Sequence, residues 1–168
     1  VNIKIALNAE MASGKLKEPV RNKLLASMTG DVAALVLEDN RLQTLALSIA
    51  ETGGSGDLAA YVRLIETFEA TGKLDRRVEG IAANDELNRR MSEGNRLMRP
   101  ELAVLLATAK LAMQDAVEAT TLGSDPFMEA ELFAAFPKAM AAKHKGAILA
   151  HRLRKEIIAT KVANRLVN

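Results

Sequence analysis

Apolar residues recur along most of the chain at the three- and four-residue spacing of α-helices. In the clearest case, from about residue 31 to residue 50, they lie three, four and seven positions apart, as one face of a helix requires. These residues are Val32, Leu35, Val36, Leu42, Leu45 and Ile49. Further helices are predicted over about 19–28, from Asp57 to a stop at Gly72, and over about 74–82 and 84–93, so the pattern is mainly helical.

Glycine, proline and short polar residues mark the ends of these predicted helices. Pro19 suits the first turn of a helix, where its missing N–H has no partner to lose. Asp57 is predicted to cap the helix that ends before Gly72. The segment Gly53–Gly56 separates that helix from the preceding one.

The first eight residues fit two structures equally well. Val1, Ile3, Ile5 and Leu7 alternate with polar residues, as in a strand with one buried face, but they also pair at helical spacing. The chain has no other alternating segment with which a strand could pair, and a lone strand leaves its backbone groups unsatisfied. Together with a first residue that is not Met, either reading indicates a piece of a larger structure.

The helix that begins at Pro100 and Glu101 is apolar on almost every side. Its apolar residues over 102–117 cannot all lie on one stripe, and we therefore expect this helix to be central and buried. A short helix is predicted from Asp125 to Phe136, and a last long helix from about residue 139 to the end. The expected fold is an all-α, irregular or orthogonal bundle of many helices around a buried central helix.

Composition supports this fold class and removes several functions. The 168 residues include 29 Ala and 23 Leu but only five aromatic residues, a bias towards strong helix formers. Without Cys, disulfides, Cys-based zinc sites and thiol nucleophiles are excluded. No signal peptide is recognisable and the longest apolar block is about 12 residues, shorter than a membrane span of about 20. We therefore expect a soluble, cytoplasmic protein with no membrane partner.

The net charge of +2 conceals two regions of opposite sign. Residues 138–168 carry eight Lys or Arg and one acid, giving +7, whereas residues 101–137 carry six acids and one Lys, giving −5. The simplest interpretation is that these regions face each other or face solvent. The balanced total does not indicate nucleic acid as a partner.

The sequence contains few groupings that could carry chemistry. Gly53–Gly56 follows a helix and matches no phosphate-binding motif, which favours a plain turn. His144 and His151 are two helical turns apart, about 10 Å, too far to share a metal without other ligands. We therefore expect hydrogen-bonded or surface histidines, no metal site and no catalytic residue.

A basic stripe on the last predicted helix is the candidate interaction site. Arg154, Lys161 and Arg165 share one direction on a helix because they are spaced by seven and four residues. They could form a groove for an acidic partner or RNA, but apolar residues on both sides favour a solvated seam between packed neighbours. RNA binding is further disfavoured because aromatic residues for stacking are sparse.

Four segments resemble the large NAD-specific glutamate dehydrogenases of bacteria. They are VNIKIALN at the start, RNKLLASMTGDVAALVLEDNRLQTLALSIAE at 21–51, RPELAVLLATAKLAM at 99–113 and HRLRKEIIATKVANRLVN at 151–168. The resemblance covers nearly the whole chain in order. The Gly-rich segment at 53–56 departs from the charged and Ala-rich helix that is usual in the family.

The resemblance implies that the catalytic part lies mostly upstream and that this chain is the helical region after it. It implies a segment at 1–16 that joins the catalytic part and a helical domain at 17–168. For the parent enzyme it implies oxidation of glutamate to 2-oxoglutarate and ammonium, NAD as cofactor and a homo-oligomer. The lysine-bearing glycine loop and Rossmann fold that this reaction needs are absent from these residues.

We therefore expect a non-catalytic segment without its own cofactor, inactive alone, with a structural, oligomerising or regulatory role beside the catalytic domain. One alternative is a stand-alone helical module that binds an acidic partner or RNA through its basic C-terminal helix. Another is a small-molecule effector site between helices.

Overall fold

The computed structural model describes residues 1–53 and 57–167, with only the backbone of Asp57, and these residues form helices without strands. The all-α prediction is therefore confirmed. The predicted Gly-rich turn falls largely on Gly54–Gly56, and the predicted cap is the Asp57 side chain; both lie outside the described residues. The α-helices are α1 (Asn2–Ala12), α2 (Glu18–Ser27), α3 (Thr29–Thr52), α4 (Asp57–Ala70), α5 (Arg76–Glu79), α6 (Asn84–Ser92), α7 (Arg99–Glu118), α8 (Glu129–Ala134), α9 (Lys138–Lys143), α10 (Lys145–Leu149) and α11 (Arg154–Val167). Two 3-10 helices, Leu122–Ser124 and Pro126–Met128, precede α8.

The ambiguous first residues are helical. Helix α1 buries Ala6 and Leu7, which retain 1% and 0% of their exposure. Buried side chains at adjacent positions fit a helix inserted among other helices better than an alternating strand, whose neighbouring side chains point to opposite faces. In the structure, α1 contacts α10.

The helices form two compact units. The first unit comprises Val1–Arg41 and Met113–Leu166, and the second comprises Leu42–Ala112 with Val167. The first core consists of Ala6, Leu7, Met28, Leu132, Phe136, Met140, Ile148, Ile157 and Ile158. The second consists of Leu58, Ile65, Phe68, Leu74, Ile81, Leu87, Leu97, Leu102 and Leu105. The domain boundary predicted after residue 16 stays a prediction.

Helix α7 has the apolar content that the sequence indicates, but its burial is uneven. Leu102 and Leu105 are buried in the second core. Leu111, farther along the same helix, keeps 63% of its surface exposed. None of the described helices is long and apolar enough to cross a membrane.

The prediction of one long last helix is wrong, because the segment contains three helices. His144 has φ −125° and ψ 35°, outside the helical region, and separates α9 from α10. At the second break, Nδ1 of His151 accepts a hydrogen bond from the Leu153 backbone N–H, and its Nε2 lies 3.1 Å from the Asn2 carbonyl oxygen. These contacts, one of them to a residue 149 positions away, outweigh the local helix propensity.

Helix α3 extends over 24 residues and buries no side chain. Its predicted apolar face is present in the sequence, but the described residues leave much of it uncovered. Among its apolar residues, the exposed fractions are 39% for Leu35, 52% for Val36, 67% for Leu37, 45% for Leu45 and 59% for Ile49.

Gly123 provides a stability test of the first core. A Cβ at this buried glycine would lie 2.9 Å from the Lys155 Cα, a backbone atom that cannot move aside alone. We expect Gly123→Ala to lower the free energy of unfolding by about 1–3 kcal/mol, as overpacking does. Gly146→Ala is the matched control, because its Cβ would meet nothing within 4 Å and alanine favours a helix. Urea unfolding followed by circular dichroism checks both variants, and equal stability of the two would contradict the prediction.

Candidate functional site

The predicted basic stripe lies on α11, where Arg154, Lys161 and Arg165 share one helix. Two of the three cations pair with acids from α8. Arg154 Nη2 lies 3.7 Å from Glu129 Oε1, and Arg165 Nη1 lies 2.6 Å from Glu131 Oε1. For Lys161 the structure records no ion pair with any described residue. The acidic and basic regions thus face each other at these two pairs.

The three cations differ in how accessible they are. The Arg154 side chain is only 22% exposed, whereas the Arg165 side chain is 73% exposed beside a largely covered Glu131. Next to them, Ile157 and Ile158 are 5% and 0% exposed, so this side of α11 belongs to the first core. The stripe therefore presents less free positive charge than its sequence indicates.

The two histidines connect the start of the chain to its last third. His144 Nδ1 lies 2.6 Å from Glu10 Oε2, and both side chains are largely covered. His151 is 5% exposed and uses both ring nitrogens, since Nδ1 accepts from Leu153 and Nε2 donates to the Asn2 carbonyl. The expectation of hydrogen-bonded histidines is confirmed, but their partners lie too far away in sequence to be predicted.

Glu101 organises the start of α7 in the second unit. Its side chain is buried, and its Oε2 accepts a hydrogen bond from the Met98 backbone N–H at 2.8 Å, as the acid of a capping box does. Arg90 Nη1 donates to both carboxylate oxygens at 3.0 and 3.2 Å. The Ala82 backbone N–H donates at 3.3 Å. One carboxylate therefore fixes a helix terminus, α6 and the α5–α6 connection.

The sequence places Glu101 only at the predicted start of a helix. Its burial could not be predicted, because Arg90 and Ala82 are 11 and 19 residues away. Two residues before Glu101, Arg99 Nη1 forms an ion pair with Glu51, near the C-terminus of α3. The start of α7 is thus a structural anchor within the second unit.

The chemistry of these groups is that of charge pairing within the chain. Glu86 and Glu101 both accept hydrogen bonds from Arg90, and the pKa of Arg90 is raised chiefly by its bond to Glu86. Across the described residues, no group of three or more His, Asp or Glu side chains is placed to hold a metal ion. These polar clusters position helices.

Apolar side chains among the described residues line a groove in each of the two units. One, of about 470 Å³ in the first unit, is lined by Leu35, Phe133, Phe136, Pro137 and Ala141, among others. The other, of about 340 Å³ in the second unit, is lined by Ile49, Tyr61, Leu64, Leu102 and Ala109, among others. Their walls are mainly apolar, which suits a hydrophobic segment better than a charged metabolite.

Two family models match separate parts of the chain. The model described as bacterial NAD-glutamate dehydrogenase, catalytic domain, matches residues 1–50. The model described as glutamate dehydrogenase, C-terminal, matches residues 94–168. The first match runs beyond residue 16, where the sequence predicts that the joining segment ends.

Curated relatives match the chain along its whole length. It is 41% identical over 168 residues to the NAD-specific glutamate dehydrogenase of Pseudomonas aeruginosa, 38% identical to that of Halomonas elongata and 34% identical to that of Mycobacterium tuberculosis. Each alignment covers 100% of this chain and 10% of the relative. The chain therefore corresponds to a short segment of these proteins.

Removing the Glu101 carboxylate should destabilise the second unit. In Glu101→Ala, Arg90 loses one carboxylate partner and two backbone N–H groups lose their acceptor. We expect the free energy of unfolding to fall by about 1.5–3 kcal/mol, the scale of a hydrogen bond to a charged group. Glu93→Gln is the control, since its pair with Arg89 is exposed and should change stability by less than about 0.5 kcal/mol. Denaturant unfolding measures both, and equal effects would contradict the assigned role of Glu101.

Acid should weaken the fold through carboxylates that pair with arginine. Hydrogen bonds from Arg90 and Arg89 lower the pKa of Glu86, and one from Arg76 lowers the pKa of Glu69, both from an ordinary value of 4.5. A carboxyl with a lower pKa in the folded state stabilises the fold above pH 4.5 and loses this contribution as the pH falls through the folded pKa. We expect unfolding free energies to decrease below pH 4.5, and less steeply in Glu86→Gln. An identical acid dependence in that variant would contradict the contribution of Glu86.

Proposed function

We propose that this chain is a structural part of a large NAD-specific glutamate dehydrogenase. It belongs to that family and covers 10% of the length of the curated members. In this proposal, the parent protein converts L-glutamate, NAD and water into 2-oxoglutarate, ammonium and NADH. The segment holds helices of the catalytic domain against the C-terminal helical region and takes no direct part in the reaction.

The main support for this proposal is that residues from both family-matched regions form the first core. Ala6, Leu7 and Met28 come from the residues that match the catalytic-domain family model. Leu132, Met140 and Ile148 come from those that match the C-terminal model. All six are at most 1% exposed, so the two family regions share one hydrophobic core. Burial of this kind is the main stabilising contribution in a folded domain.

Polar contacts strengthen the same junction. His144 with Glu10 and His151 with the Asn2 carbonyl each join α1 to the region after α9. The His151 ring is buried and both of its nitrogens have hydrogen-bond partners. Its bond to the Asn2 carbonyl therefore fixes the position of α1 relative to the last third of the chain. The proposed role of the junction is therefore to hold a defined geometry.

The described residues offer support for the non-catalytic part of the proposal. They form helices joined by turns and loops and contain no strand, whereas dinucleotide binding in a Rossmann fold uses a parallel sheet and a glycine-rich turn at a helix N-terminus. The proposal therefore assigns the chemistry of NAD and glutamate to the rest of the parent enzyme. A cytoplasmic location and a homo-oligomeric parent are part of the same proposal.

Calorimetry tests the absence of cofactor and substrate binding. The isolated chain, titrated with NAD or with glutamate, should release no binding heat at ligand concentrations that saturate a full-length relative in the same buffer. The full-length enzyme is the positive control, and retention of the helical circular dichroism spectrum shows that the isolated chain is folded. Micromolar binding of NAD to the folded chain would contradict the proposal.

A further inference from the structure

The groove of the first unit is formed by the helix that has the most uncovered apolar surface. Helix α3 buries none of its side chains, and Leu35, at the groove, is 39% exposed. Helices of proteins are stabilised mainly by packing of an apolar face and much less by intrinsic propensity. A long helix with this surface requires a further covering element.

The opposite wall of the groove comes from α8, α9 and their connection. On this wall lie Phe133, Pro137 and Ala141, and on the other lie Ala34 and Leu35 of α3. The groove between the two walls has a volume of about 470 Å³. Asp31, Glu38 and Lys138 lie among the lining residues and supply two negative charges and one positive charge. The cleft is therefore apolar along its walls with a mixed rim, a surface that suits an apolar protein segment.

The family matches indicate which part of the parent protein could cover this groove. Residues 1–50 match a family model of a catalytic domain but provide only α1, α2 and most of α3. The side chains that these residues bury, Ala6, Leu7 and Met28, lie in a core shared with the C-terminal region, so the three helices do not form a domain core by themselves. The chain covers 10% of its relatives' length, which leaves most of the parent protein outside it.

The remaining catalytic domain must contact some surface of these helices. Helix α1 packs partly against α10 and the first core, and it lines a groove of its own with α10. In the first unit, the groove of α3 is more apolar than that of α1, because Leu35, Phe133 and Phe136 line it. A concave apolar surface buries more of an inserted side chain than a flat one does.

We propose that this groove binds an apolar segment of the rest of the catalytic domain of the same polypeptide. The proposal rests on the proposed function, namely that the chain is the structural part next to that domain. It assigns a docking surface to Leu35 together with Phe133 and Ala141, where catalytic-domain and C-terminal family regions meet. Through it, the C-terminal region contacts the catalytic domain at a second place besides the buried first core.

Site-specific photocrosslinking in the full-length enzyme tests the groove. A photoreactive benzoylphenylalanine replaces Leu35 in one variant and Leu37 in the matched control. Leu37 is on the same helix, two positions on and 67% exposed, but does not line the groove. A third variant carries the photoreactive residue at Lys138, an exposed position on the other wall, in case the change at Leu35 impairs folding.

The expected result is crosslinking from positions 35 and 138 to peptides of the catalytic domain outside this chain, within one polypeptide, at severalfold higher yield than from position 37. A crosslink that joins two copies would identify the groove as a contact between subunits and overturn the proposal. Equal yields at positions 35 and 37, or no crosslink at 35 and 138 in folded enzyme, would also overturn it. These outcomes do not depend on NAD binding by the isolated chain, so failure of the docking proposal and failure of the proposed function are distinguishable.

Discussion

A long helix in a folded protein is stabilised mainly by packing of its apolar face. The residues that the structure describes leave much of the apolar face of α3 exposed. Along the predicted apolar face of this 24-residue helix, Leu35, Val36, Leu45 and Ile49 are between 39% and 59% exposed. An exposed apolar surface of this kind on a natural protein marks a contact with another element. This surface agrees with the curated relatives, of whose length the chain covers only 10%.

The rest of the structure shows how such a segment remains ordered. In the first unit, a core shared by α1, α2 and the helices from α8 to α11 fixes the start of the chain, and His151 adds a buried hydrogen bond to the Asn2 carbonyl. In the second unit, the Glu101 carboxylate joins α7 to Arg90 and to the Ala82 backbone. Both sites place polar groups where they satisfy buried partners, which stabilises one geometry over its alternatives.

Much of this fold could be predicted from the sequence because helical periodicity and termini are local properties. The helix over 31–50 and the start of α7 at Pro100 and Glu101 agree with their predictions. The break of the last segment into α9, α10 and α11 could not be predicted, because it depends on contacts of His144 and His151 with α1, more than 130 residues away. For the same reason, the spacing of Arg154, Lys161 and Arg165 indicated a shared direction but not the pairing of two of them with α8.

Hydrogen exchange of α3 tests most directly whether this chain is completed by the rest of its enzyme. Backbone amides of residues 32–50 would be compared between the isolated chain and the same segment in the full-length enzyme, with buried amides around Ile148 and Ile158 as the internal reference. Covering of α3 predicts much slower exchange of its amides in the full-length enzyme, while the reference amides change little. Equal exchange of α3 in both proteins would contradict the account.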